Sequence, residues 1–324
     1  MVKATIVQAV NMAMDQELKR DKNVVVMGED IGVNGGVFRA TDGLQKKYGK
    51  DRVIDTPLSE EAIVGTAIGM AVNGLRPVVE IQFSGFIYAA FDQLFSHAAR
   101  IRNRSRGRFT VPLVVRAPAG GGIRALELHC EQGEAFFAHA VGLKMVIPST
   151  PYDAKGLLAA AIRDPDPVIF YEPMRLYRAI KEEVPEKEYT IPLGKARIAR
   201  EGADLTIITY GAMVKQTLQA VEKIQDKVSA EVIDLRTIYP FDSDAIINSV
   251  KKTGRAIVVH EAPKTAGFGA EIIATINEKA LLSLEAPVAR VTGYDTALPF
   301  ARTELNYIPS EERIINAINK VMSF

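Results

Sequence analysis

Apolar positions follow two alternating patterns along this chain. Ile6, Val10, Ala13, Met14 and Leu18 recur at helical spacing, and Thr5 with Gln8 forms a capping box that satisfies two backbone donors at the helix start. A β-branched run, Val24-Val25-Val26-Met27, follows and is closed by Gly28, the signature of a short buried strand. Further apolar runs sit at Val53-Ile54, Pro77 to Phe83, Leu113 to Ala117, Lys144 to Pro148 and Val168 to Tyr171. Helical patterns at Glu60 to Asn73, Gly85 to Arg102, Gly133 to Ala140 and Tyr152 to Arg163 lie between most of them. Strands that are apolar on both faces predict a parallel sheet covered by helices on either side.

The pattern breaks between Lys181 and Ile191, a charged stretch that carries Pro185 and has no apolar period. It predicts a linker. The alternation then restarts, with strands at Leu205 to Tyr210, Ala230 to Leu235, Ala256 to His260 and Val288 to Val291. Helices are predicted at Ala212 to Gln225, Ser243 to Lys251, Gly269 to Leu282 and Glu311 to Met322. The expected fold class is α/β, with a first domain over residues 1–180, a linker over 181–200 and a second α/β domain over 201–324.

Composition acts mainly by exclusion. At 324 residues and 48% hydrophobic the chain can bury large cores, and 40 basic against 39 acidic side chains leave a net charge of +1. That balance gives no bulk attraction to nucleic acid or to an anionic membrane. The single cysteine, Cys130, rules out an internal disulfide and a cysteine-rich metal site, and suits a reducing compartment. The longest apolar run, Ala62 to Val72, is too short for a bilayer, which needs about 20 residues. It reads as a buried core helix. The N-terminus shows no secretory or transit pattern, so a cytoplasmic location is expected.

Several segments carry candidate chemistry. In Asp55-Thr-Pro-Leu-Ser-Glu-Glu61, Pro57 stops any preceding helix and Ser59 is placed to cap the next. Glu60 and Glu61 then suit the positive end of that helix dipole. On an all-apolar helix such a carboxylate is also partly desolvated, which raises its pKa towards proton sharing. Glu80 to Tyr88 (E-I-Q-F-S-G-F-I-Y) ends a strand in Gln82 and an aromatic cluster of Phe83, Phe86 and Tyr88. These can pack in a core or stack on a planar ring beyond the strand's carboxyl end. The triple glycine Gly120-Gly121-Gly122 invites close backbone approach to a ligand, and His129 follows it in a loop. Cys130 reads as inert. Gly267 to Ile272 (G-F-G-A-E-I) is only a fragment of a dinucleotide fingerprint and reads as turn chemistry. Asp164 and Asp166 at a helix end serve as a helix stop, or can join free carbonyls in holding a hard cation.

Together these segments resemble the beta subunit of the thiamine-diphosphate-dependent 2-oxo acid dehydrogenases, their decarboxylating component. The resemblance spans nearly the whole chain. It rests on G-E-D-I-G at Gly28 to Gly32, G-G-V-F-R-A-T at Gly35 to Thr41, D-T-P-L-S-E at Asp55 to Glu60, and E-I-Q-F at Glu80 to Phe83. P-S-T-P-Y-D-A-K-G-L-L at Pro148 to Leu158 and E-V-I-D-L-R-T at Glu231 to Thr237 add to it. Three stretches look most like the branched-chain (3-methyl-2-oxobutanoate) enzyme: E-A-F-F-A-H at Glu134 to His139, H-E-A-P at His260 to Pro263, and Leu284 to Thr296.

The resemblance implies an N-terminal domain that binds the cofactor's pyrimidine end and a C-terminal domain like that of transketolase. It implies that Glu60 hydrogen-bonds the pyrimidine nitrogen, favouring the imino tautomer that activates the thiazolium carbon for attack on the 2-oxo acid. Phe86 matches an aromatic that stacks on the pyrimidine, and Glu29, Leu58 and Gln82 match further cofactor-pocket positions. His129 matches a histidine that assists reductive acyl transfer to lipoamide, although His129-Cys130-Glu131-Gln132 departs from the family's usual H-S-Q-S. Leu113, Ala161, Ile162, Asp164 and Asp166 match a structural potassium site.

The G-D-G motif with paired asparagines that binds magnesium and diphosphate does not occur in this chain. The resemblance therefore implies that an alpha subunit holds magnesium, in an α2β2 heterotetramer docked on a lipoyl acyltransferase core. The competing expectations are a pyruvate or acetoin dehydrogenase beta subunit, a single-chain transketolase-like enzyme, and a non-catalytic assembly module. A pure scaffold needs neither Glu60 nor His129.

Overall fold

The structure is a computed structural model describing residues 1–324. Its first half runs β1 (Val2–Ala4), α1 (Ile6–Arg20), β2 (Val24–Gly28), α2 (Leu44–Tyr48), β3 (Val53–Asp55), α3 (Glu60–Val72) and β4 (Arg76–Glu80). A 3-10 stretch, Ser84–Ala90, and a π-helical stretch, Gln93–Ala98, lead to α4 (Ile101–Arg104). Then come β5 (Val114–Ala119), α5 (Glu134–Ala138), β6 (Lys144–Val146), α6 (Pro151–Arg163) and β7 (Val168–Pro173). The single helix expected from Gly85 to Arg102 is thus three short pieces. The capping box on α1 is present, with the Gln8 amide N–H reaching the Thr5 hydroxyl at 3.4 Å and the Thr5 N–H reaching the Gln8 side chain at 2.9 Å.

The second half runs β8 (Glu182–Val184), β9 (Arg197–Arg200), β10 (Leu205–Thr209), α7 (Ala212–Glu222), β11 (Ala230–Asp234), β12 (Thr237–Tyr239), α8 (Ser243–Thr253) and β13 (Ala256–Val259). It closes with α9 (Gly269–Ala280), β14 (Ala289–Val291), α10 (Glu304–Tyr307) and α11 (Glu311–Met322). One sheet has the order β12-β6-β7-β5-β4-β2-β3 and the other β14-β13-β10-β11-β9. Both are parallel except for their edge strands β12 and β9.

Adjacent residues of the central strands belong to different cores, as a doubly covered sheet requires. Val26, Val78, Val114 and Phe170 enter one core, while their neighbours Met27, Val79, Val115 and Ile169 enter the other. Both cores continue into the second domain, through Ile207 and Val232 on one side and Ile208 and Ile233 on the other.

The boundary between the domains is less clean than the sequence implied. The expected linker begins as β8, which pairs antiparallel with β1. β12 leaves the C-terminal domain to pair with β6 at the edge of the N-terminal sheet. Two of the sequence blocks meet at this joint. The Ser149 hydroxyl donates to Asp234 at 2.5 Å, Arg197 donates to Asp234 at 3.0 Å, and Arg236 donates to Asp153 at 2.9 Å.

Two further features are decided by packing. Arg116 interrupts the apolar strand β5 and is fully buried, with Glu80 at 2.8 Å on one side and Glu172 at 2.6 Å on the other. The Tyr177 hydroxyl donates to Glu172 at 2.5 Å. This network cements β4, β5 and β7, since a buried charge persists only when paired. His260 of the H-E-A-P stretch is buried against the Tyr210 ring, with centroids 6.2 Å apart. Gly267 and Gly269 lie against its imidazole, so G-F-G-A-E-I is a packing device here.

Burial, reinforced by the charge of Arg290, lowers the His260 pKa to about 4. The folded value lies below the unfolded one, so the stability contribution is complete above about pH 6.5 and is lost as pH falls through about 4. The loss amounts to about 3 kcal/mol over that window. His260→Leu is expected to flatten this acid limb. Melting temperatures between pH 7 and pH 4 check it, with equal slopes in wild type and variant counting against it.

Candidate active site

The sheet order places β5, β4, β2 and β3 side by side and parallel, so the segments leaving their carboxyl ends share one edge. In such sheets that edge is where ligands bind. Glu29 follows β2, Leu58 to Glu60 follow β3, Gln82 to Phe86 follow β4, and the loop carrying His129 follows β5. Residues up to about 100 positions apart in the chain are thereby brought to one place.

Glu60 is the first residue of α3 and is half-buried. Ser59 stands at the N-cap, but its hydroxyl makes no capping bond, contrary to the sequence expectation. Glu29 is buried nearby. Burial first, then the charges of Glu60 and Asp30, push the Glu29 carboxyl above the usual carboxylate range. A partly dry site beside like charges favours the protonated form of Glu29.

Phe83, Phe86 and His129 form the aromatic wall. His129 lies 4.4 Å from the Phe83 ring centroid and 5.0 Å from that of Phe86, and the two phenyl rings meet edge-on at 5.8 Å. Tyr88 does not join them, because it packs on Phe136 at 6.1 Å. Leu58, at 77% exposure, and the half-buried Gln82 leave the same edge of the sheet.

The Nδ1 atom of His129 is 2.9 Å from the Glu127 carbonyl. A carbonyl only accepts, so Nδ1 carries the proton there, and Nε2 is the nitrogen left to exchange one. Docking of the loop explains the glycine in the 3-10 stretch: a Cβ on Gly85 would collide with the Leu128 carbonyl oxygen. Beside it, the Ser84 hydroxyl donates to the Glu131 carbonyl at 2.7 Å. Neither contact is legible in the sequence. Cys130 is buried and its thiol is pushed up to about 12, first by burial and then by Glu304 and Glu261, which keeps it un-ionised.

The triple glycine approaches protein, not a ligand, which corrects the expectation from sequence. A Cβ on Gly121 would fall 2.9 Å from Leu298 and 3.2 Å from a Glu304 oxygen, both from the C-terminal domain.

The expected potassium ligands lie at the far end of α6. The Lys144 ammonium donates to both Asp164 oxygens at 2.7 Å, and Arg102 reaches Asp166 at 3.0 Å. The carbonyls of Leu113, Ala161 and Ile162 accept from Val168, Asp164 and Arg76 at 2.8, 3.2 and 3.0 Å. Lysine and arginine thus answer the carboxylate charge. Each of these carbonyls keeps a second lone pair.

α3 also departs from expectation. Ile63, Val64, Ala67 and Ile68 are buried, but Ala62, Thr66 and Gly69 are exposed, so an apolar helix lies open along one side. No helix of the chain is long and apolar enough to cross a membrane.

The residues at this edge suit the pyrimidine end of thiamine diphosphate. Carboxyls able to hydrogen-bond a ring nitrogen and an aromatic side chain able to stack on the ring follow neighbouring strands at this edge.

Comparison with known proteins agrees with this architecture. The family model "Transketolase, pyrimidine binding domain" matches residues 2–180, and "Transketolase, C-terminal domain" matches residues 194–314. The chain is 56% identical over 325 residues, the full length of both, to the pyruvate dehydrogenase E1 component subunit beta of Bacillus subtilis. It is 55% identical to the same subunit of Acholeplasma laidlawii, covering 98% of this chain and 97% of the relative. It is 52% identical to that of Staphylococcus aureus, over all of both chains. Among solved structures, a split gene transketolase in an inactive beta4 tetramer superimposes with a TM-score of 0.81 at 19% identity, covering 99% of each chain. That likeness concerns the fold.

Proposed function

Because this chain belongs to the family of thiamine-diphosphate-dependent 2-oxo acid dehydrogenase beta subunits, we propose that it is the beta subunit of a pyruvate dehydrogenase. The observation that carries the substrate is the 52–56% identity, over 97–100% of both chains, to three pyruvate dehydrogenase beta subunits.

The buried residues of the stretches that suggested a branched-chain substrate serve packing. Glu134 is buried and accepts from the Tyr210 hydroxyl at 2.7 Å, His260 is enclosed in the C-terminal domain, and Ala289–Val291 is a sheet strand. These are packing positions, and packing positions do not select an acyl group. Pyruvate therefore replaces the branched-chain acid as the proposed substrate.

In this reading Glu60 shares a proton with the cofactor's pyrimidine nitrogen, Glu29 keeps the neighbouring charge low, and Phe86 stacks on the ring. Thiamine diphosphate, when bound, supplies an electron sink for the carbon that loses carbon dioxide. His129 holds and moves a proton at Nε2 during acyl transfer to lipoamide. The diphosphate and magnesium belong to an alpha subunit in an α2β2 assembly, docked on a lipoyl acyltransferase core. The open side of α3 and the exposed Leu58 beside it support such a partner, since an apolar face next to a half-built site calls for a cover.

Purified alone, the chain should turn over no 2-oxo acid. Reconstituted with an alpha subunit carrying G-D-G, it should give a higher kcat/KM for pyruvate than for 3-methyl-2-oxobutanoate. The reverse preference would overturn the substrate, and activity of the lone chain would overturn the partner.

A further inference from the structure

The stem of the His129 loop is held from the other domain. Glu304, the first residue of α10, is only 1% exposed. One of its carboxylate oxygens accepts from the Gly122 N–H at 2.7 Å and the other from the Arg124 N–H at 3.0 Å, across about 180 residues of chain. Its neighbour Glu261 accepts from the Gly121 N–H. Three backbone donors at the start of one loop therefore point at two buried carboxylates of the C-terminal domain.

The backbone needs such a hold. Arg124 has φ +61° and Leu128 has φ +64°, left-handed conformations that are costly for side chains other than glycine. Strained residues persist only where their surroundings fix them. Ser84 and Gly85 fix the Leu128 end of the loop, and Glu304 is the group that fixes the Arg124 end. A buried carboxylate forms strong, directional bonds to amides, so it clamps where a neutral acceptor would only touch.

We propose that Glu304 is a positioning residue for His129: from the C-terminal domain it sets the stem of the loop, and with it the place of the imidazole. The effect on acyl transfer rests on the reading of His129 given above. The clamp itself does not.

The test uses Glu304→Gln and Glu304→Asp in the assembled complex with an alpha subunit. Glutamine keeps the size but turns an N–H2 towards one of the two amide donors. Aspartate keeps the charge but is one methylene too short to span both.

Trypsin cleavage after Arg124, followed by mass spectrometry, reads the opening of the stem. It should accelerate about ten- to a hundredfold in both variants, the factor that one charge-assisted hydrogen bond represents, while cleavage elsewhere keeps its rate. Reductive acylation of lipoamide should fall about tenfold or more relative to decarboxylation with an artificial electron acceptor. Unchanged cleavage after Arg124 overturns the clamp. So does faster cleavage at all sites with equal loss of both rates, because that is general destabilisation. Faster cleavage after Arg124 with an unchanged ratio of rates, in these variants and in His129→Ala alike, supports the clamp and removes the acyl-transfer reading of His129 instead.

Discussion

Glu60→Gln in the assembled enzyme is expected to slow decarboxylation by about 10²–10⁴-fold, the range typical of a lost proton-transfer group. Glutamine preserves the shape and the polar contact but cannot exchange a proton with a ring nitrogen. If Glu60 were only a helix-end carboxylate, the same change would cost about 0.3–1 kcal/mol of stability and leave the rate alone. The structure supplies an internal control. Glu61 is exposed and meets the Gln93 side chain at 3.5 Å, turned away by about 100° of helix. Glu61→Gln should retain most activity. Initial rates at saturating cofactor, magnesium and pyruvate check both, and near-wild-type activity of Glu60→Gln would show that the proton lies elsewhere. Glu29 sharpens the point, because its carboxyl is raised partly by the Glu60 charge. Removing that charge should bring the Glu29 pKa down, visible as a shift in the acid limb of the pH–rate profile.

His129→Ala should separate two half-reactions. Acylation of lipoamide is expected to fall by about 10²–10³-fold, while decarboxylation followed with an artificial electron acceptor should change little. The basis is geometric. His129 lies against Phe83 and Phe86, and its Nδ1 proton is committed to the Glu127 carbonyl, which leaves Nε2 for chemistry. Loss of both activities by the same factor would indicate a collapsed loop. His129→Asn tells the cases apart, since its amide can still donate to the Glu127 carbonyl but cannot shuttle a proton.

Local sequence determines much of this molecule. The runs that form β2, β5, β7 and β13 are apolar at nearly every position, as strands buried on both faces require. The capping box at Thr5 and the long amphipathic helices α1, α6, α7, α8, α9 and α11 follow from local rules that need no partner. Local sequence also marks the candidate site residues, because Glu60 opens a helix after a proline turn and His129 lies in a loop beyond a buried strand. Tertiary structure decides everything that depends on contact between distant segments. Strands β1, β8, β9 and β12 have only three or four residues, too few to carry a period; β9 and β12 exist because a sheet edge was open to them, and β1 and β8 because each supplies the other's partner. Arg116 in the middle of an apolar strand signals a buried network, yet its partners Glu80 and Glu172 are 36 and 56 positions away. The triple glycine marks a close approach, and only the fold shows that the approaching groups include Leu298 and the carboxylates of Glu261 and Glu304. Periodicity and capping are properties of neighbours in the chain, whereas a site is a property of strand order. Strand order is set by the packing of both cores at once, a sum over the whole sequence that no local window contains.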